Sequence, residues 1–255
     1  MTDQNEAVGR LTKFWGQEEF PFDPNSSETR YVHPKDCLPS NISTPDPSSD
    51  NLCVRVENLN KCKPSQFHLC LAPVPYLGNL TRADIFMLLL NPSVGYSDYS
   101  TDADPRFRQA LDRNLKANAD QEKCLALDRD FWWTSWFGWF ERLLRNTICE
   151  YGERAPYFQT LDALSRRTAI IELVPYYSQV ANRITVPFVE KLESAKMAKL
   201  TAEELRKDAG KLVIVRWGAK KWGLVDNNGH VVCESGRGFG RCRKAILDWL
   251  KHRPL

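Results

Sequence analysis

No stretch of about 18 consecutive apolar residues occurs in the chain, so a membrane-spanning helix is not expected. The first ten residues, MTDQNEAVGR, lack the apolar core of a secretory signal, which predicts a cytoplasmic location. Histidine and methionine are scarce, at four and three residues. The eight cysteines include no Cys-x-x-Cys pair, so they read as reduced thiols rather than a disulfide framework or a short-spaced metal motif. Cys37, Cys53, Cys62 and Cys70 are the densest group, at separations that argue against a metal site. No internal repeat is present, and the net charge is only +3. What remains is a chain of 255 residues, 42% hydrophobic and 11% aromatic, long enough to bury one sizeable core.

The charge is unevenly spread. Residues 211–255 hold ten lysines and arginines against three acids, a local balance of +7, so the other 210 residues carry −4. A basic end of this kind fits either a polyanion partner or a solvated helix face.

Residues 6–16 have helical spacing of apolar side chains, and residues 21–50 form a proline-rich loop. Cys53–Val56 and Phe67–Leu71 alternate as short strands. From residue 84 the pattern changes. Ile85–Leu90 is a continuous apolar run, and similar runs recur at Ala169–Pro175, Leu212–Gly218 and His230–Ser235, as in strands buried on both faces of a parallel sheet. Helical segments fall near 104–117, 129–149, 156–166, 187–208, 219–224 and 241–251. This alternation predicts a three-layer α/β sandwich around a four-stranded parallel sheet spanning 73–255, with 1–72 as an N-terminal extension packed on it. Ligands of such sheets sit beyond the carboxyl ends of the strands.

The loops at those ends carry a resemblance. LLLNPSVGYSDY (88–99), IIELVPYYS (170–178), LVIVRWGAKKWG (212–223) and HVVCESGRGFGRCRKAILDWL (230–250) resemble, in order and spacing, four motifs of the uracil-DNA glycosylase superfamily. PVPYLGNL (73–80) is similar to the lead-in of bacterial members. The resemblance implies that family's fold and a monofunctional DNA glycosylase that flips a base and hydrolyses its glycosidic bond. No cofactor or metal is implied, and no obligate protein partner or membrane. No lysine nucleophile is placed for a lyase step.

The resemblance assigns roles residue by residue. Asn91 matches the Asn that positions the attacking water, beside Pro92; on its own, Asn91 fits equally a residue that only shapes an Asn-Pro turn. Asp98 either adds a carboxylate to that water or caps a helix near residue 104. Tyr96, Tyr99 and Phe107 are candidates to stack on the flipped base, and spacing does not choose among them. Glu172 stands where uracil-reading members have Asn. An ionised carboxylate only accepts hydrogen bonds, which suits a base presenting donors, such as a cytosine derivative; the alternative is a displaced or salt-bridged Glu172. A hypermodified phage-type cytosine would imply a defence role.

The family's leaving-group His is absent from 236–241. Arg237 is the replacement, able to bond a base oxygen or a phosphate. Phe239 is a candidate wedge, and Arg241 and Lys244, at the start of the last helix, are candidate phosphate ligands, as are Ser178 and Lys220. The competing reading of this stretch is a glycine-rich turn before a basic amphipathic helix. Competing functions are a uracil or deaminated-base repair glycosylase, a weakened DNA-binding or sensor protein on the same fold, and a small-molecule enzyme.

Overall fold

The apolar runs form the sheet. A computed structural model describes residues 4–25, 30–38, 66–116, 121–151, 156–179, 184–227, 229–234 and 238–253. Its strands are β1 (Tyr76–Leu77), β2 (Ile85–Leu89), β3 (Thr168–Glu172), β4 (Leu212–Arg216) and β5 (Val231–Glu234). Every residue of β2, β3 and β4 is buried, so both faces of the central sheet are covered. The helices among the described residues are α1 (Gln4–Phe14), α2 (Tyr96–Ala103), α3 (Pro105–Leu115), α4 (Ser135–Tyr151), α5 (Tyr157–Arg167), α6 (Val186–Val189), α7 (Glu193–Leu205), α8 (Ala219–Trp222) and α9 (Gly240–His252). Helix α4 packs on α5 and α9, α5 contacts β3, α9 contacts β4 and β5, and α1 lies along α7.

The sheet order is β1-β3-β2-β4-β5. Strands β3, β2, β4 and β5 are parallel, but β1 pairs antiparallel with β3, Tyr76 opposite Ile171. The expected four-stranded parallel sheet is therefore corrected to a five-stranded mixed sheet in an α/β sandwich. The added strand has only two residues, too few to show a period. Pro73 and Pro75 hold its lead-in extended, and Gly78 ends it at φ +94, where a Cβ would meet the Thr168 carbonyl at 2.6 Å.

Two other expectations change. Residues 67–71 form a turn with a single bridge at Phe67 rather than a strand. The 187–208 segment is split into α6 and α7. Cys53–Val56 lies outside the described residues.

The described part of the N-terminal extension enters the same core. Val8, Leu11, Phe14, Trp15, Phe20, Phe22 and Tyr31 are buried in one cluster with the sheet residues. His33 stacks on Phe14 at 3.7 Å, and its backbone N–H donates to the Tyr176 hydroxyl at 3.1 Å. Tyr176 in turn donates to Asp36 at 2.5 Å. The extension is thereby bonded to the loop that follows β3.

Strand order places the loops that matter. The chain leaves β2 toward β3 on one side and leaves β4 toward β5 on the other. The crevice between the carboxyl ends of β2 and β4 is thus the switch point of the sheet. Asn91 stands just past β2, and Trp217 just past β4.

Candidate functional site

Pro92 stops the chain from continuing β2 beyond Asn91, because the ring removes an N–H and forces the preceding residue extended. The buried Asn91 amide is then fixed from one side. Its Nδ2 donates to the Ser178 hydroxyl at 2.8 Å, the Pro92 carbonyl at 3.0 Å and the Tyr176 carbonyl at 3.3 Å. Carbonyl oxygens only accept, so the nitrogen must face them and Oδ1 must face away. Oδ1 is buried and has no hydrogen-bond partner among the described residues. The backbone closes the same loop: Ser178 N–H donates to Pro92 O at 3.1 Å, and Val94 N–H to Ser178 O at 3.2 Å. Ser178 is buried and orients Asn91 from within.

Glu172 ends β3 opposite Leu89, Arg216 ends β4 opposite Glu234, and the Leu88–Val215 pair carries the register of β2 on to β4. Paired residues of parallel strands share a face, so Glu172, Leu89, Arg216 and Glu234 make one row along the carboxyl edge of the sheet. Glu172 is buried, and neither carboxyl oxygen has a hydrogen-bond partner among the described residues. Burial pushes its pKa well above the usual carboxylate range. Burial thus favours the protonated form of Glu172, which has one O–H donor and one acceptor. The ionised, acceptor-only form expected from the sequence is the one burial disfavours, and no salt bridge to Glu172 forms among the described residues.

Three further polar groups join the β2 and β3 loops. Asp98 accepts from Gly95 N–H at 2.6 Å, capping α2, and from the Ser135 hydroxyl at 2.6 Å. Burial raises the Asp98 pKa against those bonds, with Asp102 adding to the rise. Each of its oxygens already has a protein donor. Trp136 Nε1 donates to the Tyr177 hydroxyl at 3.1 Å. Burial pushes the Tyr177 phenol well up, and the nearby Asp98, Asp102 and Glu172 carboxyls push the same way. His68 is buried; its Nδ1 lies 2.6 Å from the Tyr99 hydroxyl, and desolvation takes its pKa down to about 4.

The three stacking candidates separate. Tyr99 is buried against His68, and Phe107 is buried edge-on to Phe131 at 5.7 Å. Tyr96, 52% exposed, is the open one. Phe239 is half-buried, its ring 5.8 Å from the Arg216 guanidinium, and Lys220 is exposed on α8. Arg237 lies outside the described residues, as do Cys53 and Cys62. Among the described residues no group of three His, Cys, Asp or Glu is placed to hold a metal ion.

The amino end of α9 is occupied by a carboxylate. Arg241 and Cys242 N–H donate to Glu234 Oε2 at 3.1 and 3.2 Å. Arg241 also pairs with Asp226 at 2.7 Å, and Lys244 with Asp248 at 2.6 Å. A phosphate there would have to displace Glu234. No family model matches this chain, and neither a curated protein nor a solved structure does.

Sequence reasoning missed Arg216 and Trp217. Arg216 is buried at the end of β4, where an apolar run finishing in a charge was the available signal. Trp217 has φ +60, the only positive φ outside glycine among the described residues. Its ring is 40% exposed and covered on one side by Arg216 at 4.2 Å. Backbone in that region is strained for a side chain of this size, so packing must hold it.

Proposed function

We propose that the chain is a monofunctional DNA glycosylase of the uracil-DNA glycosylase-like type that excises a modified base, a cytosine derivative being the leading substrate. The observation that carries this is the Asn91 amide, turned by three acceptors so that a buried oxygen faces away with its lone pairs unused. Such an oxygen can accept one O–H of a water and leave the water's own lone pair for attack. In the reaction the C1′–N bond breaks, its electron pair leaves with the base, and the water oxygen bonds C1′. Its proton then passes to solvent. An amide is too weak a base to drive early attack, so the reaction is dissociative. Glu172 reads the flipped base. Its O–H donates to cytosine N3, and its carbonyl accepts from the exocyclic amino group.

A second reading is favoured by the protonated form of Glu172. One donor and one acceptor also match uracil, whose N3–H donates and whose O4 accepts. Base release from duplex and single-stranded oligonucleotides carrying uracil, cytosine and modified cytosines tests both. The expected result is release that falls as pH rises through the elevated Glu172 pKa, because the acid form does the reading. Release that rises with pH over that range contradicts the Glu172 role. Binding to abasic DNA without release of any base replaces catalysis with a sensor function.

A further inference from the structure

Away from the strand ends, α3 and the turn before α4 enclose an open trough of about 550 Å³. One wall is α3, where Arg106, Gln109 and Arg113 are spaced i, i+3 and i+7 and are all exposed. The other is the turn carrying Arg129, Asp130 and Trp132. The floor is Phe131, buried and fixed edge-on against Phe107. Trp132 is 70% exposed, more than any other large aromatic side chain described.

The charges here differ from those on α9. Arg106 is held by Asp104 at 2.8 Å and lies 5.8 Å from the Trp133 ring. Arg129 lies over the Phe158 ring at 4.2 Å. Neither Arg113 nor Arg129 forms an ion pair among the described residues, and Asp130 is the one acid among the residues lining the trough. The trough thus combines two guanidiniums without carboxylate partners and a bare indole face. A guanidinium resting on a ring presents its N–H edge outward, the geometry that suits phosphate. An acidic peptide would use the cations but leave the indole idle. A duplex would hide its base faces.

We propose that this trough binds single-stranded DNA, with phosphates on Arg113 and Arg129 and a base stacked on Trp132. The choice of DNA over another polyanion rests on the glycosylase reading. The chain connects the two places: α2 runs from the Asn91 loop to Asp104, which caps α3, and Ser135, three residues from Trp132, bonds Asp98. A strand engaged at the β2 end is carried on into the trough.

The test is anisotropy of a labelled oligothymidylate with the full chain at several salt concentrations. This ligand offers neither cytosine nor uracil, so the result is independent of base excision. The variants are Arg113→Glu with Arg129→Glu, Trp132→Ala, and Lys191→Glu with Lys207→Glu as a charge control elsewhere. Thermal melts confirm that each variant folds. The trough reversal is expected to weaken binding at least tenfold and to lower the salt slope by about 1.4, the single-strand value for two phosphates. Trp132→Ala is expected to weaken binding about five- to a hundredfold with the slope unchanged, and to leave duplex binding alone. Trough variants within about twofold of wild type, equal losses in the lysine control, or tighter binding of poly-glutamate than of the oligonucleotide each overturn the proposal. Loss of oligothymidylate binding in a chain that releases no base keeps the trough and removes the glycosylase.

Discussion

The loop cluster at the end of β2 and the basic carboxyl-terminal end are built on opposite principles. Around Asn91 the polar groups are buried and directed, and the unused atoms, Asn91 Oδ1 and the Glu172 oxygens, are those a ligand would need. On α9 the charges are numerous but spent: Arg241 pairs with Asp226, Arg243 with Glu150, and Lys244 and Lys251 with Asp248. A local excess of +7 therefore says less about binding than three unpaired oxygens do. Burial without a partner is costly, and a fold retains it only where something offsets the cost.

The largest contrast should come from Asn91→Ala. Base release is expected to fall by about 10²–10⁴, the range for a group that positions or activates the nucleophile, with the fold intact by thermal melt. An unchanged rate would reduce Asn91 to a turn residue. Glu172→Gln sharpens the same side through stability. A carboxyl whose folded pKa is raised is favoured as the acid. Its contribution is full below the unfolded value near 4.3 and is lost as pH rises toward the folded value, by about 1.4 kcal/mol per pH unit. Urea titrations at pH 5 and pH 8 should show wild type losing stability between them and Glu172→Gln losing much less. Equal pH dependence would mean that Glu172 is ionised or paired.

Ser178→Ala is expected to act in the middle of the range. It removes one of three acceptors holding Asn91, at a cost of about 1 kcal/mol in stability and roughly a tenfold fall in base release. A fall in kcat with little change in KM marks a positioning role, whereas equal loss of both marks simple destabilisation. The smallest effect should be at α9. Arg241→Ala and Lys244→Ala are expected to change DNA affinity less than the Arg113 and Arg129 substitutions do in the same titration, because each must first leave an acid.

The sheet was legible because β2, β3 and β4 are buried on both faces and so read as largely apolar runs. β1 was not, since two residues carry no period, and α2 was hidden by polar serines, aspartates and tyrosines that follow Pro92 and Gly95. At the site, Asn91 stood out as a polar residue ending an apolar run, and Glu172 as a charge within one at a position where the resembling family has Asn. Their states did not, because Ser178 reaches Asn91 across 87 positions and the raised pKa of Glu172 depends on packing. Tyr96, Tyr99 and Phe107 were indistinguishable by spacing and are separated only by burial. The pairing of Arg243 with Glu150, 93 positions away, is likewise invisible in a charge count.

The most direct measurement is single-turnover release of free base by wild type and Asn91→Ala from one set of oligonucleotides carrying uracil and modified cytosines. The account predicts release of at least one base by wild type, slowed about 10²-fold or more in the variant. Release from no substrate, or equal rates in the two proteins, would contradict it.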